Sequence, residues 1–323
     1  MGQDVEGALR ECAEAFGLGE VLGWHAMRTD ARRPPSFRVN TATGAWLLEA
    51  FDCAWFPLDY VSYLTGYATA LAREGLAPAL RATLEGPPFH QAAAGGETYR
   101  VVCREWVAGQ AGEWHEWEDQ YLTAVGSLLA RVHDVGARWS PPAPQPAWNF
   151  SVSASHACAQ AGDWPLKDPA ALRLLCEAAR LTDERLAELM ARKDLHGPIH
   201  ADCWYGNLVQ AGGRLVAVDF EGSGIGPRAY DLAVWYYTIE TWRPADAAAP
   251  FARLMSAYER SRPLEPVEAE AIPYLTALRH FWFLEAEATR WQEGREDLAK
   301  LRFYVDDHST AIERLVFRTG RGD

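Results

Sequence analysis

Five polar residues in one short stretch carry most of the chemistry this chain offers: His200, Asp202, Asn207, Asp219 and Glu221. Leu208 to Gln210 and Arg214 to Val218 are short β-prone runs separated by Ala211-Gly212-Gly213, which predicts a hairpin with a glycine turn. Asn207 and Asp219 lie equally far from Gly213, so antiparallel pairing is expected to set them side by side at the open end. Asp202 approaches the same point from the preceding loop. Two oxygen ligands with a free carboxylate beside them suit a magnesium ion carrying phosphates and a general base facing an incoming hydroxyl.

The ordered set His200-x-Asp202, Asn207, Asp219-Phe-Glu221 and Tyr230-Asp231-Leu232-Ala233 resembles the catalytic core of the aminoglycoside phosphotransferase and choline kinase group, relatives of the protein kinases. That resemblance implies a bilobal, protein-kinase-like α+β fold. Its N-terminal lobe, residues 1–108, would hold a small antiparallel β-sheet and the nucleotide side, and residues 109–323 would form a larger, mainly helical lobe with the catalytic loop and acceptor site. It also implies ATP or another nucleoside triphosphate as donor and Mg2+ as cofactor. Asp202, with His200 beside it, then matches the catalytic carboxylate. Asn207 and Asp219 match the magnesium ligands, joined by Glu221, where choline-kinase-like members also carry Glu. Asp231 matches the residue that braces the catalytic loop from a buried helix start.

Around these residues the chain predicts the elements that must hold them. Glu6 to Phe16 has helical periodicity, and Val21 to Met27, Phe37 to Asn40 and Ala45 to Phe51 are β-like. A helix over Pro57 to Glu74 follows. The run Tyr99 to Val107 resembles the family's strand and interlobe hinge. The resemblance puts adenine against the backbone of Glu105 and Val107, with Leu208 and Val218 as aliphatic walls. The loop from Arg28 to Ser36 occupies the place of the glycine-rich flap but has no glycine. Either side chains of Arg28, Arg32, Arg33 and Arg38 meet phosphate there, or the loop is a solvated basic segment.

One departure from the family bears on function. Its third strand ends with a lysine that contacts the nucleotide phosphates, and here Glu49 stands at that position. The chain has three lysines, Lys167, Lys193 and Lys300. If the protein is a kinase, another cation must serve, Arg100 and Arg104 near the hinge being further choices, and Glu49 should point away or pair with one of them. Two classes of function follow: an ATP-dependent kinase acting on a small-molecule hydroxyl, or a catalytically impaired or repurposed kinase-fold binding protein.

The acceptor side is less legible. Asp119 closes an acidic, Trp-rich segment that reads either as a rim for a cationic substrate or as a solvated helix start. Glu285 lies in an aromatic helical run that lines the acceptor pocket in the family and otherwise reads as core. Only twelve positions separate Asp219 from Asp231, too few for a peptide-binding activation segment, which favours a small acceptor. The formal charge of −13, with 31 acidic against 22 basic residues after position 108, argues against nucleic acid and toward an amine-bearing metabolite or antibiotic. Six cysteines without metal-ligand spacing read as reduced thiols of a cytoplasmic protein, and no apolar run reaches membrane-spanning length. A monomer or homodimer is expected.

Overall fold

The computed structural model describes residues 2–28, 34–111, 119–142, 146, 153–159, 169–242 and 246–318. Arg32, Arg33, the acidic aromatic segment 113–118 and half of the Pro-rich stretch 140–147 lie outside them, as does the side chain of Arg28. Contacts divide the chain into two compact units. The first comprises Met1–Gly112, Asp134–Pro146 and Tyr205–Glu221; the second comprises Glu113–His133, Ala147–Trp204 and Gly222–Asp323.

The first unit opens with helix α1 (Gly2–Ala15) and strands β1 (Val21–Arg28), β2 (Ser36–Thr41) and β3 (Gly44–Asp52). Helix α2 (Leu58–Arg73), β4 (Leu80–Arg81), β5 (Phe89–Ala94), β6 (Glu97–Glu105) and β7 (Gln110–Ala111) follow. The main sheet runs β1-β2-β3-β6-β4, with β5 also paired to β6, and all its pairs are antiparallel. Strand alternation decides what each face carries. Leu48 on β3 and Val101 and Cys103 on β6 point into a cluster with Leu9, Cys12, Ala13 and Phe16 of the α1 region. Leu47, Glu49, Val102 and Arg104 therefore share the other face. Along α2, Tyr60, Tyr63, Leu64, Tyr67, Ala68 and Leu71 recur at helical spacing and are buried. The helix spends this face on core, Tyr67 stacking on Trp139 at 5.3 Å between centroids.

In the second unit α3 (Asp119–Arg138), α4 (Ala154–Ala159) and α5 (Pro169–Ala191) lead to β8 (His196–Ile199). The hairpin β9 (Leu208–Ala211) and β10 (Arg214–Ala217) returns to the first unit, after which β11 (Gly224–Pro227) pairs with β8. Helices α6 (Ala229–Trp242), α7 (Ala248–Glu259), α8 (Pro266–Gln292) and α9 (Leu298–Glu313) follow. No helix among the described residues is long and apolar enough to cross a membrane. Cys12, Cys53, Cys103, Cys158, Cys176 and Cys203 are free.

The helical core holds a polar chain. Arg314 donates to Glu240 (2.8 Å), and Glu240 accepts from His280 Nε2 (2.7 Å). His280 Nδ1 is hydrogen-bonded to Nδ1 of His308 at 2.7 Å. His308 stacks on Phe283 with an interplanar angle of 7°. Burial, with the neighbouring His280, pushes the His308 pKa down to about 3. The unfolded chain, with a histidine pKa of about 6.5, takes up a proton that the fold refuses. Stability from this site is intact above about pH 6.5 and is lost progressively as pH falls toward 3. We predict that lowering pH from 7 to 5 destabilises the protein through His308 by roughly 2 kcal/mol. In thermal melts at the two pH values His308→Asn should lose less than the parent; parallel losses would remove His308 as the cause.

Candidate active site

The residues expected to form the catalytic loop lie in the second unit. Strand β8 ends at Ile199, opposite Gly224 of β11, and hands the chain to His200 and Ala201. Ala201 has φ +65°, a left-handed conformation that costs a non-glycine residue about 1–3 kcal/mol. Asp231, in the first turn of α6, holds it there. Its Oδ2 accepts from His200 N (3.0 Å) and its Oδ1 from Ala201 N (2.7 Å). Oδ2 also accepts from His133 Nε2 at 3.0 Å, and His133 Nδ1 accepts from the Tyr258 hydroxyl at 2.9 Å. Burial works against the charge of Asp231, but the His133 hydrogen bond and the His200 backbone N–H prevail and hold the carboxyl below its usual range. Hydrogen bonds to a charged group contribute about 1.5–3 kcal/mol each, enough to offset the strained residue.

The turn presents Asp202. Its Oδ1 accepts from Arg279 Nη2 on α8 at 2.6 Å, while Arg279 Nη1 lies 3.4 Å from the carbonyl of Ala201. Arg279 is only 3% exposed, and its guanidinium carbon lies 5.3 Å from the Tyr237 ring centroid and 5.2 Å from that of Phe283. Burial opposes its charge, but the Asp202 carboxylate outweighs burial and keeps the guanidinium firmly protonated. His200 is buried, and its Nδ1 accepts from Asp202 N at 3.3 Å, so the ring shapes the turn. His133 in turn braces Asp231.

The remaining residues lie in the first unit. Hairpin pairing sets Arg214 opposite Ala211 and Ala217 opposite Leu208. The turn is the two residues Gly212 (φ +57°) and Gly213 (φ +76°), the handedness a type I′ hairpin needs. The centre of the hairpin thus falls between the glycines rather than on Gly213. Val218 N donates to Asn207 O at 2.9 Å, so Asn207 is opposite Val218 and Asp219 stands one step further along. Asp219 has φ +64° and is, with Ala201, one of two non-glycine residues with positive φ among the described residues. Phe220 is buried, its ring 6.2 Å from that of Tyr67, and the carbonyl of Glu221 accepts from the Tyr60 hydroxyl. Both residues flanking Asp219 on its C-terminal side are therefore gripped by α2.

At the expected adenine site, Glu105 ends β6 with its N–H donated to Ala79 O (2.9 Å), and Trp106 N donates to Ala45 O (3.1 Å). Val107 is half-buried. Leu208 is buried and Val218 half-buried. A Cβ on Gly109 would come 2.3 Å from the carbonyl oxygen of Gln210, so only glycine lets the hinge approach β9. Arg38 covers the Trp106 ring at 4.6 Å. Glu49 does pair with an arginine: Arg104 Nε donates to its Oε2 at 2.5 Å. Asp119 is exposed at the start of α3 and pairs with Arg253 at 2.7 Å, and Glu285 is half-buried on α8.

Asn207 and Asp219 supply an amide oxygen and a carboxylate on neighbouring strand ends, with Asp219 in a strained backbone conformation. That donor set fits magnesium, which takes one or two carboxylates and completes its shell with phosphate oxygens and water. Sequence reading missed Arg279. Its signal was a basic residue among the core positions of α8 beside Leu275 and Leu278, one residue before the aromatic run already singled out.

An antiparallel N-terminal sheet, a larger helical region and a carboxylate-bearing turn braced from a helix start make this a small-molecule phosphotransferase of the protein-kinase-like class. Residues 26–269 match the phosphotransferase enzyme family that includes the aminoglycoside phosphotransferases, and the chain belongs to that family. It is 29% identical over 292 residues to a homoserine kinase of Caulobacter sp. strain K31, covering 82% of this chain and 81% of the relative. The fold is similar to that of the amicoumacin kinase hAmiN, solved with AMP-PNP, Ca2+ and its antibiotic (TM-score 0.77, 16% identity, 97% of this chain and 96% of that one). It is equally similar to a microcompartment-associated aminopropanol kinase (TM-score 0.77, 17% identity, 97% and 98%).

Removing the brace should be costly, since it leaves two buried N–H groups and His133 without their acceptor. Asp231→Ala is expected to lower unfolding free energy by about 3–5 kcal/mol, the usual effect of breaking a buried charged network. A urea titration with an unchanged midpoint would contradict that role.

Proposed function

We propose that the protein transfers the γ-phosphoryl group of ATP, with Mg2+, to the hydroxyl of a small amino alcohol, homoserine being the first to test. The observation that carries the reading is the Asp202 carboxylate, fixed between the strained Ala201 turn and the buried Arg279. A carboxylate so held can orient an acceptor hydroxyl and take its proton as the O–P bond forms. Arg279 acts through Asp202 as a positioning residue. Asp231, His133 and His200 keep the turn in place.

Asn207 and Asp219 would hold the metal, with Glu221 next to them in sequence. When bound, magnesium supplies the positive charge that offsets the phosphates of the donor. The backbone of Glu105 and Val107 would receive adenine, between Leu208 and Val218. Residues 1–108 then form the nucleotide-side lobe, and residues 109–323 the lobe that carries the catalytic loop and the acceptor site. The acceptor class is supported by two comparisons, the Caulobacter relative being a homoserine kinase and one structural neighbour an aminopropanol kinase. Both named acceptors carry an amine and a primary or secondary alcohol, in keeping with the acidic character of the chain.

The test is ADP release with ATP, Mg2+ and a panel of homoserine, aminopropanol, ethanolamine and choline. Asp202→Asn should reduce kcat by about 10²–10⁴-fold, the usual contribution of a positioned base, with ATP affinity nearly unchanged. Full turnover in that variant would end the assignment of Asp202. Asp219→Ala should abolish the magnesium dependence of ATP binding in calorimetry; equal affinity with and without magnesium in the parent protein would remove the metal role. Arg279→Met should lower kcat much more than it raises KM for ATP, and Arg279→Lys should restore part of the loss.

A further inference from the structure

Glu49 and Arg104 are diagonal neighbours on one face of the sheet, because β3 and β6 pair Leu47 with Arg104 and Glu49 with Val102. The ion pair between them is made end-on. Arg104 uses Nε alone, at 2.5 Å, instead of the two-pronged fork a guanidinium usually offers a carboxylate. Its Nη1 is buried without an acceptor, and the whole residue is 4% exposed. The guanidinium carbon lies 5.9 Å from the centroid of the Phe220 ring, and Phe220 follows Asp219 directly. A buried cation whose carboxylate partner occupies only its inner nitrogen keeps its terminal edge for a further acceptor. A phosphate oxygen is the acceptor whose geometry and charge such an edge fits best.

Among the described residues, other cations of the first unit are less well placed. The chain has no lysine before Lys167. Arg100 is committed to the carbonyl of Phe56 at 2.8 Å, and Arg38 lies over Trp106. Glu49, which alone would repel a triphosphate, is neutralised by Arg104 and in turn fixes its orientation.

Building on the kinase reading above, we propose that Arg104 is the phosphate-binding cation of this protein, oriented by Glu49 from the neighbouring strand. A sheet that lacks a lysine on β3 thus carries its positive charge on β6, with the acid and the base exchanged between strands. The site takes the di- or triphosphate of a nucleoside, and adenosine alone makes no use of it.

Calorimetric titration with adenosine, AMP, ADP and ATP, each with Mg2+ and with a chelator, separates this role from a structural one. Arg104→Met should leave adenosine affinity within about two-fold of the parent and weaken ADP and ATP at least about ten-fold in both metal conditions, scaled as the loss of one strong charged contact. Glu49→Lys combined with Arg104→Met returns a cation to the same face from β3 and should recover most of the ATP affinity. Arg104→Lys, which keeps the charge in case the methionine variant does not fold, should weaken ATP partially and adenosine not at all. Equal weakening of all four ligands would mean that Arg104 only supports Phe220 and would overturn the assignment, as would parental ATP affinity in Arg104→Met. A parent protein that binds adenosine but gains nothing from added phosphates refutes Arg104 alone; one that binds no nucleotide refutes the kinase reading with it.

Discussion

A single buried carboxylate organises the catalytic loop. Asp231 accepts from two consecutive backbone N–H groups, His200 and Ala201, and from the imidazole of His133. Those bonds have to exceed both the desolvation of the charge and the strain of a left-handed alanine. They do so because all three donors are themselves buried, where hydrogen bonds to a charge are strong. The position of Asp202 follows from that balance. Its carboxylate is then caught by Arg279, whose own burial is made tolerable by the same carboxylate and by two aromatic faces.

The segment around Asp219 meets a related demand by different means. Asp219 is left-handed like Ala201, but the residues after it are held by α2: Phe220 through packing on Tyr67, and the Glu221 carbonyl through the Tyr60 hydroxyl. Strain at a functional position persists where its surroundings over-determine it. The tight glycine turn at Gly212 and Gly213 sets the register that brings Asn207 to the neighbouring strand. Gly109 allows β7 to pair with β9 alongside.

The absence of the family's lysine has a physical answer in the sheet. A carboxylate at Glu49 facing phosphate alone would be repelled, and a guanidinium at Arg104 alone would be a buried, unbalanced charge. Together they are neutral. The pair therefore removes the main reason for reading the chain as an inactive member of its family, and membership of a family of phosphotransferases agrees with the intact acid, amide and carboxylate set.

The order and spacing of His200, Asp202, Asn207, Asp219 and Asp231 were legible from the chain alone, because the chemistry needs those residue types and short local elements fix their separation. Helical periodicity gave α2 to within a residue at each end, since its apolar stripe repeats along the sequence. Other features depend on residues far apart in the chain. The pairing of Glu49 with Arg104 depends on the register of β3 with β6, and a slip of one residue would have put them on opposite faces. Arg279 meets Asp202 only because α8 returns to the catalytic loop, and His133 finds Asp231 across 98 positions. Sequence by itself singled out the candidate groups; packing decided which charges sit together, because the partner of a buried charge is chosen by proximity in space and not by distance along the chain.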